Sequence, residues 1–196
     1  MGTRRTGGEG GGAPDRRTAT DETGSETGRE MNGDHEHTTD GHGATPGPDP
    51  NAPLPVLSRE AALSWARDFT RMMAEQAGAA LRPETATEHF HDCVGRADEV
   101  ADDGRFQLLY YVRGRLPQDA HLAAVGRLGK ALLANGYRVT GWLGDPEREG
   151  AQRVVLDMTH PRQRTHVSAE STGDDELTFT VRTGCLLPPG ARQQRF

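Results

Sequence analysis

The sequence predicts an α+β fold: a two-layer sandwich with two helices packed on one face of a mostly antiparallel sheet, in the order α-β-β-α-β-β-β-β. Three observations carry this. Two stretches have apolar residues at helical spacing and are bounded by capping residues, over Arg59 to Ala77 and Gln118 to Asn135. One stretch, "RFQLLYYVRGRL", alternates as a strand. Four short strand candidates then follow with only turn sequences between them, which favours a meander.

Ser58 is placed to cap the first helix and Gly78 to stop it, and Ala62, Trp65, Phe69, Met72 and Met73 form its apolar stripe. "RPETATEHFHDCVG" reads as a loop and then a short strand over Glu88 to Val94, and "RADEVADDGR" as an acidic loop. In the strand that follows, Phe106, Leu108, Tyr110 and Val112 share one face, with Leu109 and Tyr111 partly covered on the other. Pro117 and Asp119 open the second helix, Leu122, Val125, Leu128 and Leu132 make its stripe, and Gly136 ends it. Gly126 and Gly129, inside that helix, are expected to allow close packing on the sheet. The last strands are expected at Tyr137 to Leu143, Gln152 to Met158, Thr165 to Ser171 and Leu177 to Thr183.

The chain divides by composition. Residues 1–53 contain no Leu, Ile, Val, Phe, Tyr or Trp and are rich in Gly, Thr, Pro and acids. Such a segment cannot bury enough apolar surface to offset its ordering entropy, so a disordered leader and linker is expected there. Residues 54–190 are expected to form the single α+β domain, and 191–196 a short polar tail. The net charge is -6 and the arginines are scattered, which argues against nucleic acid as a partner. The chain has no Ile and a single lysine, Lys130, the codon bias of a GC-rich genome. No apolar run approaches the ~18 residues of a membrane span, and Arg4 and Arg5 are not followed by the apolar stretch of a signal peptide.

The only two cysteines, Cys93 and Cys185, lie at the edges of the first and last strands. They can form one disulfide closing a long loop, or remain two buried thiols acting as small apolar residues; a reactive cysteine is the third option. With no CxxC and no third cysteine, zinc and thioredoxin-like chemistry fit poorly.

Cys93, Gly136, Tyr137, Gly184, Cys185, Leu186 and Leu187, set in this order of helices and strands, resemble the small actinobacterial lipoprotein domains of the LppA type over Ser58 to Gly190. The resemblance implies an exported, membrane-tethered domain of unassigned activity and brings no catalytic residues with it. The chain as written shows no apolar signal segment and no lipobox cysteine before the linker. A cell-envelope or extracellular location is therefore expected if translation starts upstream of Met1, and a cytoplasmic one otherwise.

Few residues point to chemistry. His89 and His91 stand two apart on a strand and share a face, a metal-ligand spacing that needs a third ligand, with His160 and His166 as candidates; a solvated face with two ordinary histidines is the plainer reading. His35, His37 and His42 in the leader read as incidental composition. Asp98, Glu99, Asp102 and Asp103 lack the EF-hand spacing and read as a solvated acidic loop. There is no G-x-S-x-G elbow, no Walker A loop and no GxGxxG before a helix. No cofactor is expected. Trp142, near a strand end, is a candidate partner contact. The leading expectation is a non-catalytic envelope or extracellular domain binding a protein, peptide or small ligand through its sheet face. The alternative is a cytosolic partner-binding protein of immunity or regulatory type, and a metal-dependent enzyme using His89 and His91 comes third.

Overall fold

A computed structural model describes residues 51–195 apart from 96, 146, 148, 149 and 151; residues 1–50 of the leader expected to be disordered, with His35, His37 and His42, lie outside the described residues. Helix α1 runs Arg59–Ala77, followed by strands β1 (Ala80–Asp92) and β2 (Phe106–Arg115). A single 3-10 turn over Gln118–Ala120 leads into α2 (His121–Ala134), and β3 (Arg138–Leu143), β4 (Val155–His160), β5 (Thr165–Gly173) and β6 (Glu176–Arg182) complete the chain. The strands form one six-stranded sheet in the order β1-β2-β6-β5-β4-β3, antiparallel at every pairing.

Local chemistry explains the helix boundaries. The Ser58 side chain accepts from Ala61 N at 3.1 Å, and Gly78 closes α1 at φ 72, a left-handed conformation that glycine adopts without a Cβ clash. Buried on α1 are Ala62, Ala66, Thr70, Met73, Ala74 and Ala77, whereas Trp65, Phe69 and Met72 are only partly covered. The contact stripe thus runs through small residues, and the large ones expected at its centre flank it. Alanine lets a helix approach a sheet closely; bulky rings cannot fit beneath the axis and spread to the side.

On α2, Val125, Leu128 and Leu132 are buried and Leu122 partly so. Of its two glycines, only Gly129 serves close packing: a Cβ there would meet Leu156 Cδ2 at 3.3 Å, while Gly126 has open space around it. Both helices join one core with the inward side chains of the sheet, among them Leu108 and Val112 of β2, Phe179 and Val181 of β6, Val167 of β5 and Met158 of β4.

The strand expected at Gln152 to Met158 is found at Val155–His160, and the departure from the sequence reading is largest at β1. Strand β1 begins at Ala80, well before the short strand expected from Glu88, and ends at Asp92. It is an edge strand, and Pro83, which lacks an N–H, falls in the stretch where pairing with β2 is interrupted, so it costs no ladder bond. The register shifts between Arg82 and Thr87, and there Thr85 Oγ1 accepts from Arg113 N at 2.9 Å and donates to Arg82 O at 2.7 Å, standing in for the interrupted ladder. The end of the chain is also built in. Beyond Cys185, Leu186 bridges to Phe106 and Leu187 to Val56. Gln193 accepts from Leu54 N at 2.9 Å through its side chain, and Gln194 N donates to Asp103 Oδ2 at 2.9 Å, so the polar segment after Gly190 is fastened to the domain.

Candidate functional site

One face of the sheet is sealed by the helices; no described helix packs on the other. Along each strand the alternation that sends apolar side chains inward sends polar ones outward. The register lines these up in rows. Tyr111 of β2 lies opposite Thr180 of β6, Thr180 opposite Ser168 of β5, and Ser168 opposite Asp157 of β4. A second row runs from His89 through Leu109 and Arg182 to His166. Leu109 and Tyr111 are half-buried, as their partly covered status in the sequence suggested.

The two ends of this face differ in electrostatics. At the end holding the β5–β6 turn, Arg82 pairs with Glu84 at 2.9 Å and with Glu176, Arg113 reaches Glu176 at 3.4 Å, and Arg153 pairs with Glu170. At the other end lies the disulfide. Cys93 and Cys185 are bonded, with Cα atoms 5.9 Å apart. Cys93 directly follows β1 and Cys185 lies three residues after β6, on either side of the start of β2. The bond therefore closes across one intervening strand, where the chain segments converge beyond the ladder.

Two adjoining grooves lie at this disulfide end. One, of about 510 Å³, is lined by His91, Asp92, Val94, Gln107, Leu109 and Arg182. The other, of about 320 Å³, shares Gln107 and Arg182 and adds Arg164, His166, Gly184 and Cys185. Gln107 Nε2 points to Cys185 Sγ at 3.8 Å, and Arg182 Nη2 donates to Gln107 Oε1 at 3.4 Å, a long bond. Arg164 sits in the β4–β5 turn at φ 53, in the left-handed region that favours glycine.

The histidines proposed as metal ligands are not brought together as a set. His89 and His91 are exposed, with ring centroids 6.0 Å apart. His166 lies three strands away, about 14 Å at ordinary strand spacing, and approaches Asp157 Oδ1 at 3.7 Å. His160 packs edge-on against Tyr137 with centroids 5.2 Å apart, on the helix side of the sheet. Among the described residues no three His, Cys, Asp or Glu side chains are grouped to hold a metal ion. Trp142 is on the edge strand β3, 46% exposed beside exposed Val139 and Leu143, and its Nε1 donates to Gly144 O at 3.0 Å.

The acidic loop holds a correction. Asp103, read with its neighbours as solvated, forms a buried ion pair with Arg105, each side chain 1% exposed. The Arg105 guanidinium and the Gln194 amide hold the Asp103 carboxyl well below its usual range, with burial acting in the opposite direction. Proximity in sequence gave no sign of burial; that follows from the docked C-terminal segment, where Arg105 also donates to Gln194 O. His121 was likewise not singled out. It is fully buried, with Nδ1 2.9 Å from Ser171 Oγ and Nε2 2.9 Å from Leu116 O, and it fixes the start of α2 to the sheet.

A third groove, of about 300 Å³, lies between α1 and the end of α2 and is lined by Trp65, Phe69, Met72, Leu132, Tyr137 and His160, among others. The Tyr137 hydroxyl is buried without a hydrogen-bond partner among the described residues, and burial pushes it up to about 12. Comparison of the chain with protein-family models, curated proteins and solved structures finds no match.

Proposed function

We propose that this is a non-catalytic recognition domain of an oxidising, extracytoplasmic compartment, which binds a protein or peptide through the uncovered face of its sheet. The observation that carries the reading is the asymmetry of the sheet: six strands with one face closed by two helices and no described helix on the other. An open face of hydroxyls and arginines offers many hydrogen-bonding groups on a rigid platform, which suits binding. The Cys93–Cys185 bond supports the compartment, since disulfides persist where thiols are not kept reduced. The resemblance to small exported lipoprotein domains supports it as well.

Selection of random dodecapeptides on the full-length chain tests the reading. Selected peptides should lose binding to Thr180→Arg, which places a long charged side chain in the row between Tyr111 and Ser168. They should retain it for Lys130→Glu, on the exposed side of α2. Peptides that bind Thr180→Arg as well as the parent, with the variant's melting temperature unchanged, would remove the sheet face from consideration.

A further inference from the structure

Arg164 and Arg182 line the same groove at the disulfide end, and neither has a carboxylate partner among the described residues. At the far end of the same face Arg82, Arg113 and Arg153 are paired with Glu84, Glu176 and Glu170. Asp157 lies 3.7 Å from His166, and Asp92 lines the neighbouring groove, which Arg182 also borders, while the groove shared by Arg164 and Arg182 has no acid among its described lining residues. Two like charges are thus held around one concavity with no carboxylate paired to either among the described residues.

The backbone holds Arg164 there against its own preference. It is at φ 53, where a residue with a Cβ is disfavoured and glycine is not. Gly184 makes room for that turn: a Cβ on it would stand 3.0 Å from Arg164 Cβ and 3.4 Å from Arg164 O. Strained residues persist where the surroundings impose them and cluster at functional sites. Arg182 is fixed by the ladder, opposite Leu109 on one side and His166 on the other, which directs it onto the open face between the two grooves.

We propose that this end of the face is a carboxylate-binding cleft, in which Arg164 and Arg182 hold a carboxylate of an acidic peptide and the Gln107 amide supplies a further donor. Guanidinium–carboxylate pairs are strong because two N–H donors match two oxygens. The occupant is a short acidic peptide and not a nucleic acid or anionic bilayer, because beyond this end Arg82, Arg113 and Arg153 of the face are already paired with Glu84, Glu176 and Glu170 and offer a longer polyanion little further attraction. This assignment rests on the sheet-face reading above and names its ligand.

The test uses the full 196-residue chain and two fluorescein-labelled probes, hexaglutamate and hexaglutamine, followed by fluorescence polarisation. Hexaglutamate should bind and hexaglutamine should not. Arg164→Gly and Arg182→Gln should each weaken hexaglutamate binding by about tenfold or more, the scale of a lost charged hydrogen bond. Arg113→Gln, which removes a guanidinium already paired with Glu176, should change it by less than about twofold. Arg164→Gly should melt no lower than the parent, because glycine suits that backbone; this separates loss of the guanidinium from loss of the fold. Equal binding by the parent and both cleft variants overturns the proposal. So does an equal loss in Arg113→Gln, which would show diffuse attraction only, or displacement of the probe by anionic vesicles in preference to free glutamate peptides. If Thr180→Arg abolishes binding while the cleft variants do not, the sheet face stands and the cleft falls; the reverse pattern keeps the cleft and removes the wider face.

Discussion

Opening the Cys93–Cys185 bond should lower stability by several kcal/mol, and the structure indicates how. The cysteines are 92 residues apart, and the chain-entropy relation gives about 4.6 kcal/mol for a loop of that size at 25 °C. That figure applies in full only if the folded state is undisturbed when the bond opens. Both cysteines are flanked by contacts that survive reduction: Asp92 pairs with Phe106 in the β1–β2 ladder, and Leu186 bridges to the same Phe106 from the other side. The loss should therefore come mainly from the unfolded chain regaining freedom. For a domain of this length it corresponds to a fall in melting temperature of about 10–20 °C. Thermal unfolding by circular dichroism, with and without reductant, measures it, and since the sequence has only these two cysteines, reductant acts on nothing else. A Cys93→Ala, Cys185→Ala double variant should melt like the reduced protein and ignore reductant. A difference below about 2 °C, or two titratable thiols in oxidised native protein, would refute the reasoning.

Leu128→Ala should cost about 2–5 kcal/mol in urea unfolding, because Leu128 is fully buried between α2 and the sheet; Phe69→Ala should cost less, since its ring is only partly covered. Equal, negligible losses at both would contradict the assigned packing. Asp103→Asn should cost about 3–5 kcal/mol by removing the negative charge that offsets the buried Arg105 guanidinium. The folded-state carboxyl titrates below its ordinary value of 3.8, so its stabilisation is present above that pH and is lost as pH falls through and below it. Urea midpoints between about pH 5 and pH 2 should fall more steeply for the parent than for Asp103→Asn, and parallel curves would count against the pair.

The helices and the order of elements were legible because their signals are local. Ser58 and Gly78 bracket α1 through their own backbone preferences, and the alternation from Phe106 to Val112 marks β2 whatever it pairs with. The meander could be read too, since short turns leave consecutive strands little choice but antiparallel neighbours. A polar stretch such as Ala80 to Thr87 has no alternation of its own, and it is a strand only because β2 offers it a partner edge. The centre of the α1 stripe also depends on how close a helix can come to a particular sheet, which favoured Ala62 and Ala66 over Trp65 and Phe69.

The cysteine pair shows the division most clearly. Sequence places Cys93 and Cys185 at strand ends and leaves both bonded and free states open; the insertion of β2 between β1 and β6 brings their Cα atoms to 5.9 Å. The same pairing decided the candidate site. Arg164 and Arg182 look in sequence like two of many scattered arginines. They share a groove because antiparallel pairing of β5 with β6 carries the end of β6 back to the turn that starts β5. His89 and His166, equally plausible partners on paper, are kept apart by the strands between them. Secondary structure follows from interactions within a few residues and can be read along the chain, whereas which side chains meet depends on strand order, and that is settled only when the whole sheet buries its apolar face against the helices.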